Sequence, residues 1–114
     1  TPQQILELQQ ARRKILVSAP VREYIVSLVE ATRRSGALRF GVSPRGSLHL
    51  MRAAQALAML REREYVLPDD VKDLVTPVLA HRLVLQVEER LKGVTPQKIL
   101  EEMVTGIPVP ASGE

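Results

Sequence analysis

"GVSPRGSLHLMRAAQALAML", residues 41–60, is the stretch from which the fold can be worked out. Ser43 is an N-cap residue type, and Pro44 follows at the first helical position, where its missing N–H costs nothing. Ala53, Ala54, Ala56 and Ala58 then lie among Leu50, Met51, Leu57 and Leu60. Alanine has the best helix propensity and lets a neighbour approach closely, so this helix is expected at the centre of a bundle. One residue runs against the local physics. Arg45 stands in the first turn, where the helix dipole prefers an acid. Either it is one solvated charge among sixteen Lys and Arg, or it is kept there because an anion arrives at the helix start.

Outward from this stretch the punctuation is regular. Thr1-Pro2-Gln3-Gln4 reads as an N-cap, a Pro at the first position and a Gln able to close a capping box, which predicts a helix over residues 2–14. Ser18-Ala19-Pro20 opens a second helix, in which Val21, Tyr24, Ile25, Leu28 and Val29 fall on one face. Arg33 and Arg34 suit its C-terminus, and Gly36 closes it. Residues 36–42 read as a loop. Residues 64–67 are short and extended. Pro68-Asp69-Asp70 opens a fourth helix with acids in its first turn. Pro77 lies inside that helix and is expected to kink or break it near Thr76. Thr95-Pro96 opens a last helix that Gly106 stops. The expectation is all-α: a small bundle of about five helices over residues 1–106, with an irregular tail at 107–114. One short β pair is expected between residues 64–67 and 81–85.

Composition narrows the class. The chain has 114 residues, enough for one small domain. Apolar residues make up 45 % but aromatics only 3 %, so Leu, Val, Ile, Ala and Met must build the core. There is no cysteine, which excludes disulfides and thiolate metal sites. No signal peptide and no apolar run of membrane-spanning length is visible, so a cytoplasmic protein with no membrane partner is expected. The first residue is Thr1 rather than Met, which suggests a piece of something longer. Charge is uneven: residues 1–60 hold nine Lys/Arg against three Asp/Glu, and residues 61–114 hold seven against ten. Such a basic half can face phosphates, an acidic surface or nucleic acid, or can simply be solvated.

Catalytic motifs are missing. The sequence has no G-x-x-x-x-G-K-[ST], H-E-x-x-H or G-x-S-x-G. Asp69, Asp70 and Asp73 cluster as metal ligands can, but a helix N-terminus favours acids in any case. His49 has no partner ligand in sequence and reads as a satisfied structural histidine. His81-Arg82 reads as a hinge or surface pair. Arg45 remains, with Arg39 before it and Arg52 two turns further along the same helix.

"YIVSLVEATR", "GVSPRGSLHLMRAAQALAML", "YVLPDDV" and "VLAHRLVL" occur here in an order and spacing that resembles the C-terminal lid domain of MoxR-type AAA+ ATPases. The closing "IPVP" is similar too. The resemblance implies a helical lid packed beside an upstream nucleotide-binding core. It implies that Arg45 is the sensor-2 arginine, reaching the γ-phosphate of ATP bound with Mg between core and lid and coupling hydrolysis to lid rotation. Ser43 and Pro44 would fix the helix start that aims it. It further implies chaperone-like rings, contacts with neighbouring subunits, a partner carrying a von Willebrand factor A domain, and a role in maturing or metallating other proteins.

Two departures from the family pattern stand out. The motif usually reads G-A-S-P-R-A, and here Val42 and Gly46 stand at the two alanine positions. The family's glycine before arginine is replaced by Glu62 before Arg63. The core motifs are also absent, so this chain alone is expected to lack ATP hydrolysis and to hold nucleotide weakly. A rival expectation is DNA binding through a histone-like outline, since the long helix, short extended turn and Asp-Val helix suit both. Its modest net charge of +3 argues against nucleic acid. A purely protein–protein module is the third expectation.

Overall fold

The computed structural model describes residues 1–110. Six helices and two short strands follow in the order α1 (Pro2–Arg13), α2 (Ala19–Arg34), β1 (Leu38–Phe40), α3 (Pro44–Leu60), α4 (Pro68–Leu79), β2 (Val84–Leu85), α5 (Val87–Leu91) and α6 (Pro96–Gly106). A single 3-10 turn, Ala80–Arg82, joins α4 to β2. The sixth helix is the five-residue α5, too short to show a helical period in sequence.

The helix starts follow local chemistry. Thr1 Oγ1 accepts the Gln4 N–H, and the Gln4 side chain reaches back to the terminal amine, which closes the capping box. Thr95 Oγ1 accepts the Lys98 N–H at the start of α6. Pro stands in the first turn of α1, α2, α3, α4 and α6. Pro77 does not break α4 at Thr76; the helix runs on to Leu79. The missing proline N–H falls so near the C-terminus that little of the ladder depends on it, and the chain then tightens into the 3-10 turn.

Helix α3 is central, packing on α4, α2 and α1. Leu50, Ala54 and Ala58 form its buried stripe. They meet Val71, Val75 and Leu79 of α4 and Val21, Tyr24, Ile25, Leu28 and Val29 of α2 in one core, closed by Ile99 and Leu100 of α6. The small side chains of Ala54 and Ala58 allow this three-sided approach. Helix α1 differs: none of its residues is buried, and Ile5, Leu6 and Leu8 are more than half exposed.

The β pair forms between other partners than expected. Strand β2 pairs antiparallel with β1, Leu38 opposite Leu85 and Phe40 opposite Val84, so residues 36–42 are not wholly loop. Residues 64–66 instead lie along the α1–α2 link. The Leu16 N–H donates to Glu64 O at 2.8 Å, and the Val66 N–H donates to Leu16 O at 2.9 Å. The physical reason is that α4 and its 3-10 turn carry residues 83–85 back to the start of α3, beside the α2–α3 connection that contains β1.

The turn after α3 contains a strained residue. Glu62 has φ of +61°, the left-handed region that side chains other than glycine occupy at a cost. It stands where the family pattern has glycine. Glu62→Gly is therefore expected to stabilise the chain by roughly 0.5–1 kcal/mol, the strain relieved exceeding the added unfolded-state entropy. Urea unfolding of the two chains side by side measures this, and an unchanged or lower midpoint would refute it. Among the described residues no helix is long and apolar enough to cross a membrane.

Candidate functional site

The start of α3 is built from the loop behind it. Gly41 approaches the end of α2 so closely that a Cβ there would lie 2.7 Å from backbone atoms of Thr32 and Arg33. Val42 is buried, and its Cγ1 occupies the space where a Cβ on Gly46 would stand, 2.1 Å away. The glycine in the first turn is thus not a loose point but the recess that receives Val42. The two departures from the usual motif form one compensated contact.

Ser43 takes the N-cap position, but its side chain makes no capping hydrogen bond, contrary to the sequence expectation. Its carbonyl accepts the Gly46 N–H at 2.9 Å instead. Pro44 supplies the first helical residue. Ser43, Pro44 and Arg45 are all exposed. Arg45 has no hydrogen bond, ion pair or ring contact among the described residues, so its guanidinium stands unpaired beside a helix start.

The other candidates separate. Arg39 lies on β1 with its guanidinium over the Phe40 ring at 5.5 Å. Arg52, on α3, belongs with Arg12 and Arg13 of α1. Burial holds the Arg12 guanidinium below its usual range, and the nearby Arg52 and Arg13 charges add to this. His49 is half-buried, and Arg82 Nη2 donates to its Nδ1, which makes it a partnered histidine as expected. His81-Arg82 is divided rather than a surface pair: His81 is exposed, while Arg82 turns inward with its Nε buried. Asp69, Asp70 and Asp73 act as acids on α4, not as ligands of one centre: Asp70 binds Arg63 and Arg61, and Asp73 binds Arg61.

Two grooves flank α3. One of about 300 Å³ begins at Pro44 and runs between α2 and α3, bordered by Ile25, Val26, Leu48 and Met51. A larger one, about 900 Å³, lies near Met59 and Tyr65. It is about 20 Å along the helix from Arg45, given 1.5 Å per residue, and so is no part of the same site. The sequence gives no sign of Thr32 as a functional residue, and it marks Arg33 only as a helix-end charge and Arg82 only as half of a hinge or surface pair. "TR" ends the first family motif, but nothing local shows what those side chains hold.

This architecture is that of an AAA+ lid. The AAA lid domain family model matches residues 30–103, and the chain belongs to that family. The chain's relatives include proteins named MoxR. It is 33 % identical over 115 residues to "Chaperone MoxR1" of Mycobacterium tuberculosis, covering 93 % of this chain and 30 % of the relative. It is 41 % identical over 110 residues to "Protein MoxR" of Paracoccus denitrificans, covering 83 % of this chain and 32 % of the relative. It is 40 % identical over 103 residues to YeaC of Bacillus subtilis, an uncharacterized protein, covering 90 % of this chain and 32 % of that one. A solved Cytophaga hutchinsonii protein named as a candidate ATPase superposes with a TM-score of 0.85 at 29 % identity, covering 89 % of this chain and 33 % of its own. The chain spans about a third of the length of these relatives. The segments that suggested a histone-like outline are α3, residues 61–67 and α4 of this lid.

Proposed function

We propose that this lid serves a MoxR-like AAA+ ATPase and that Arg45 is its sensor-2 residue, reading the γ-phosphate of ATP held with Mg by a nucleotide-binding core. The observation that carries this is an exposed guanidinium with no partner, placed where the helix dipole disfavours a cation. Such a cation is stabilised by an arriving phosphate, to which guanidinium can donate two parallel hydrogen bonds. Pro44 and the recessed Gly46 fix the helix start from which Arg45 projects. Bound nucleotide supplies the triphosphate whose terminal bond is hydrolysed in the core; the lid supplies charge and aim.

The partners follow from surface character. Ile5, Leu6 and Leu8 of α1 are exposed at 59 %, 52 % and 59 %, and Val26 and Leu48 border the groove beside Pro44. These are faces for the core domain and for neighbouring subunits of a ring to cover. Rotation of the lid with nucleotide state would then be felt by the next subunit. A von Willebrand factor A domain partner and chaperone-like work on client proteins extend this reading from the resemblance.

Arg45→Ala tests it. In the ATPase that joins this lid to its core, turnover is expected to fall roughly tenfold or more, as when one charge-stabilising group is removed. In the 114-residue chain, amide shifts on titration with Mg·ATP are expected to be weak, to cluster at residues 43–46, and to vanish in the variant. Unchanged turnover removes the sensor role. Tight, salt-dependent binding of duplex DNA by the chain would replace it with nucleic-acid recognition.

A further inference from the structure

We propose that Thr32 and Arg33 are positioning residues for Arg45, an inference that rests on the sensor reading. Both stand in the last turn of α2, and both hold the backbone of the same residue, Val42. Thr32 is 1 % exposed. Its Oγ1 donates to Val29 O at 2.6 Å and accepts the Val42 N–H at 2.9 Å. Arg33 Nε donates to Val42 O at 2.9 Å. One residue's N–H and C=O are therefore gripped from two adjacent side chains, three residues before Arg45.

The neighbouring contacts remove the remaining freedom. Gly41 lies against the Thr32–Arg33 backbone with no room for a side chain, and the Val42 side chain is seated over Gly46 in the first turn of α3. A loop of this length would ordinarily let a helix start swing. Here the end of α2, residues 41–42 and the start of α3 move as one body. A displacement of a reacting group by about 1 Å can cost a hundredfold in rate, so this grip matters more for aim than for stability. It also gives the anion at Arg45 a stiff path to α2. The hydroxyl is suited to the task because it is donor and acceptor at once, which valine of the same shape is not.

The test is steady-state hydrolysis by the ATPase carrying this lid and its core, in variants T32V, T32S, R33M and R45A. T32V and R33M are each expected to lower kcat roughly tenfold, with a smaller change in KM, because the aim of Arg45 is lost while other phosphate contacts remain. T32S, which keeps Oγ, is expected to restore kcat. R45A added to T32V is expected to cost little beyond R45A alone, since both act through one guanidinium. Arg33 is exposed, so R33M answers the question even where T32V does not fold. Wild-type kcat in folded T32V and R33M, beside a slow R45A, overturns the positioning role and leaves the sensor reading standing. Losses that add in the double variant overturn it as well, showing a merely structural contact. Wild-type kcat in R45A overturns the sensor reading and this inference together.

Discussion

Replacing Asp70 by alanine is expected to cost the chain about 3–5 kcal/mol, the usual result of stranding the partners of a buried ion pair. Asp70 is fully buried at the start of α4. Its oxygens accept from Arg63 at 2.8 and 2.6 Å, from Arg61 at 2.8 Å, and from the Leu67 backbone N–H at 2.8 Å. Arg63 is itself only 20 % exposed and gives a further N–H to Tyr65 O, so its loss of a partner is not made good by water. The neighbouring Arg61–Asp73 contact lies in solvent at both ends and contributes little. Domains of this kind hold about 5–15 kcal/mol in all, so the variant should sit near the margin of folding. Its melting point should drop by about 10 °C or more. Urea unfolding followed by circular dichroism at neutral pH measures the loss, and a change below about 1 kcal/mol would show the cluster to be ornamental.

The same site ties part of the fold's stability to pH. Burial pushes the Asp70 carboxyl up, but Arg63, the Leu67 N–H and Arg61 together outweigh it and hold it below the ordinary value. A folded pKa below the unfolded one means the stabilisation is fully present above the ordinary aspartate value of about 3.9 and is lost as pH falls through the folded value. The stability gap between wild type and Asp70→Ala should stay constant from neutral pH down to about 5 and close only in stronger acid. A gap that closes near neutrality would contradict the ion-pair account.

Gly46→Ala is expected to destabilise the chain by about 1–3 kcal/mol although alanine is the better helix former, because overpacking outweighs propensity here. The added Cβ would lie 2.1 Å from Val42 Cγ1. Val42 cannot easily yield: it is 1 % exposed, β-branched, and held at its N–H by Thr32 and at its C=O by Arg33. Val42→Ala alone should cost about 1.6 kcal/mol for two methyl groups withdrawn from the core. The double variant restores the Ala–Ala pair of the usual motif, with the methyl of residue 46 entering the space the valine vacates. It should be more stable than the sum of the singles by at least about 1 kcal/mol. Additive losses in this cycle would mean that the two departures are unrelated.

The resemblance read from four short motifs led to the right family, and most helix starts were legible for a simple reason. A proline in the first turn, or a threonine three residues before a free N–H, acts within one turn of chain, so Thr1, Pro20, Pro44, Pro68 and Thr95 announced their helices. Apolar periodicity likewise marked the faces of α2 and α4. The candidate site was legible only in outline: Arg45 stood out because it violates a local rule. Ser43 is a capping residue type by local preference, yet its side chain makes no cap, since Pro44 already supplies the start. The partner of residues 81–85 is not legible in residues 64–67 or in any other single segment, because strand pairing is a choice among partners that no single segment contains.

By itself, then, the sequence determined where helices begin, which faces they bury, and that one arginine stands where an anion would explain it. Those properties depend on neighbours within about four residues, and their chemistry is the same in any fold. Only the tertiary structure decided that Val42 fills the place of a side chain at Gly46, and that Thr32 and Arg33 grip Val42. It also decided that Asp70 is a buried anchor for two arginines rather than a helix-start acid in water, and that β1 rather than residues 64–67 receives β2. Apart from Val42 over Gly46, these join residues from 7 positions apart (Arg63 and Asp70) to 47 (Leu38 and Leu85), through contacts whose strength comes from burial and fit. Burial and fit exist only once α2, α3 and α4 have closed around one another.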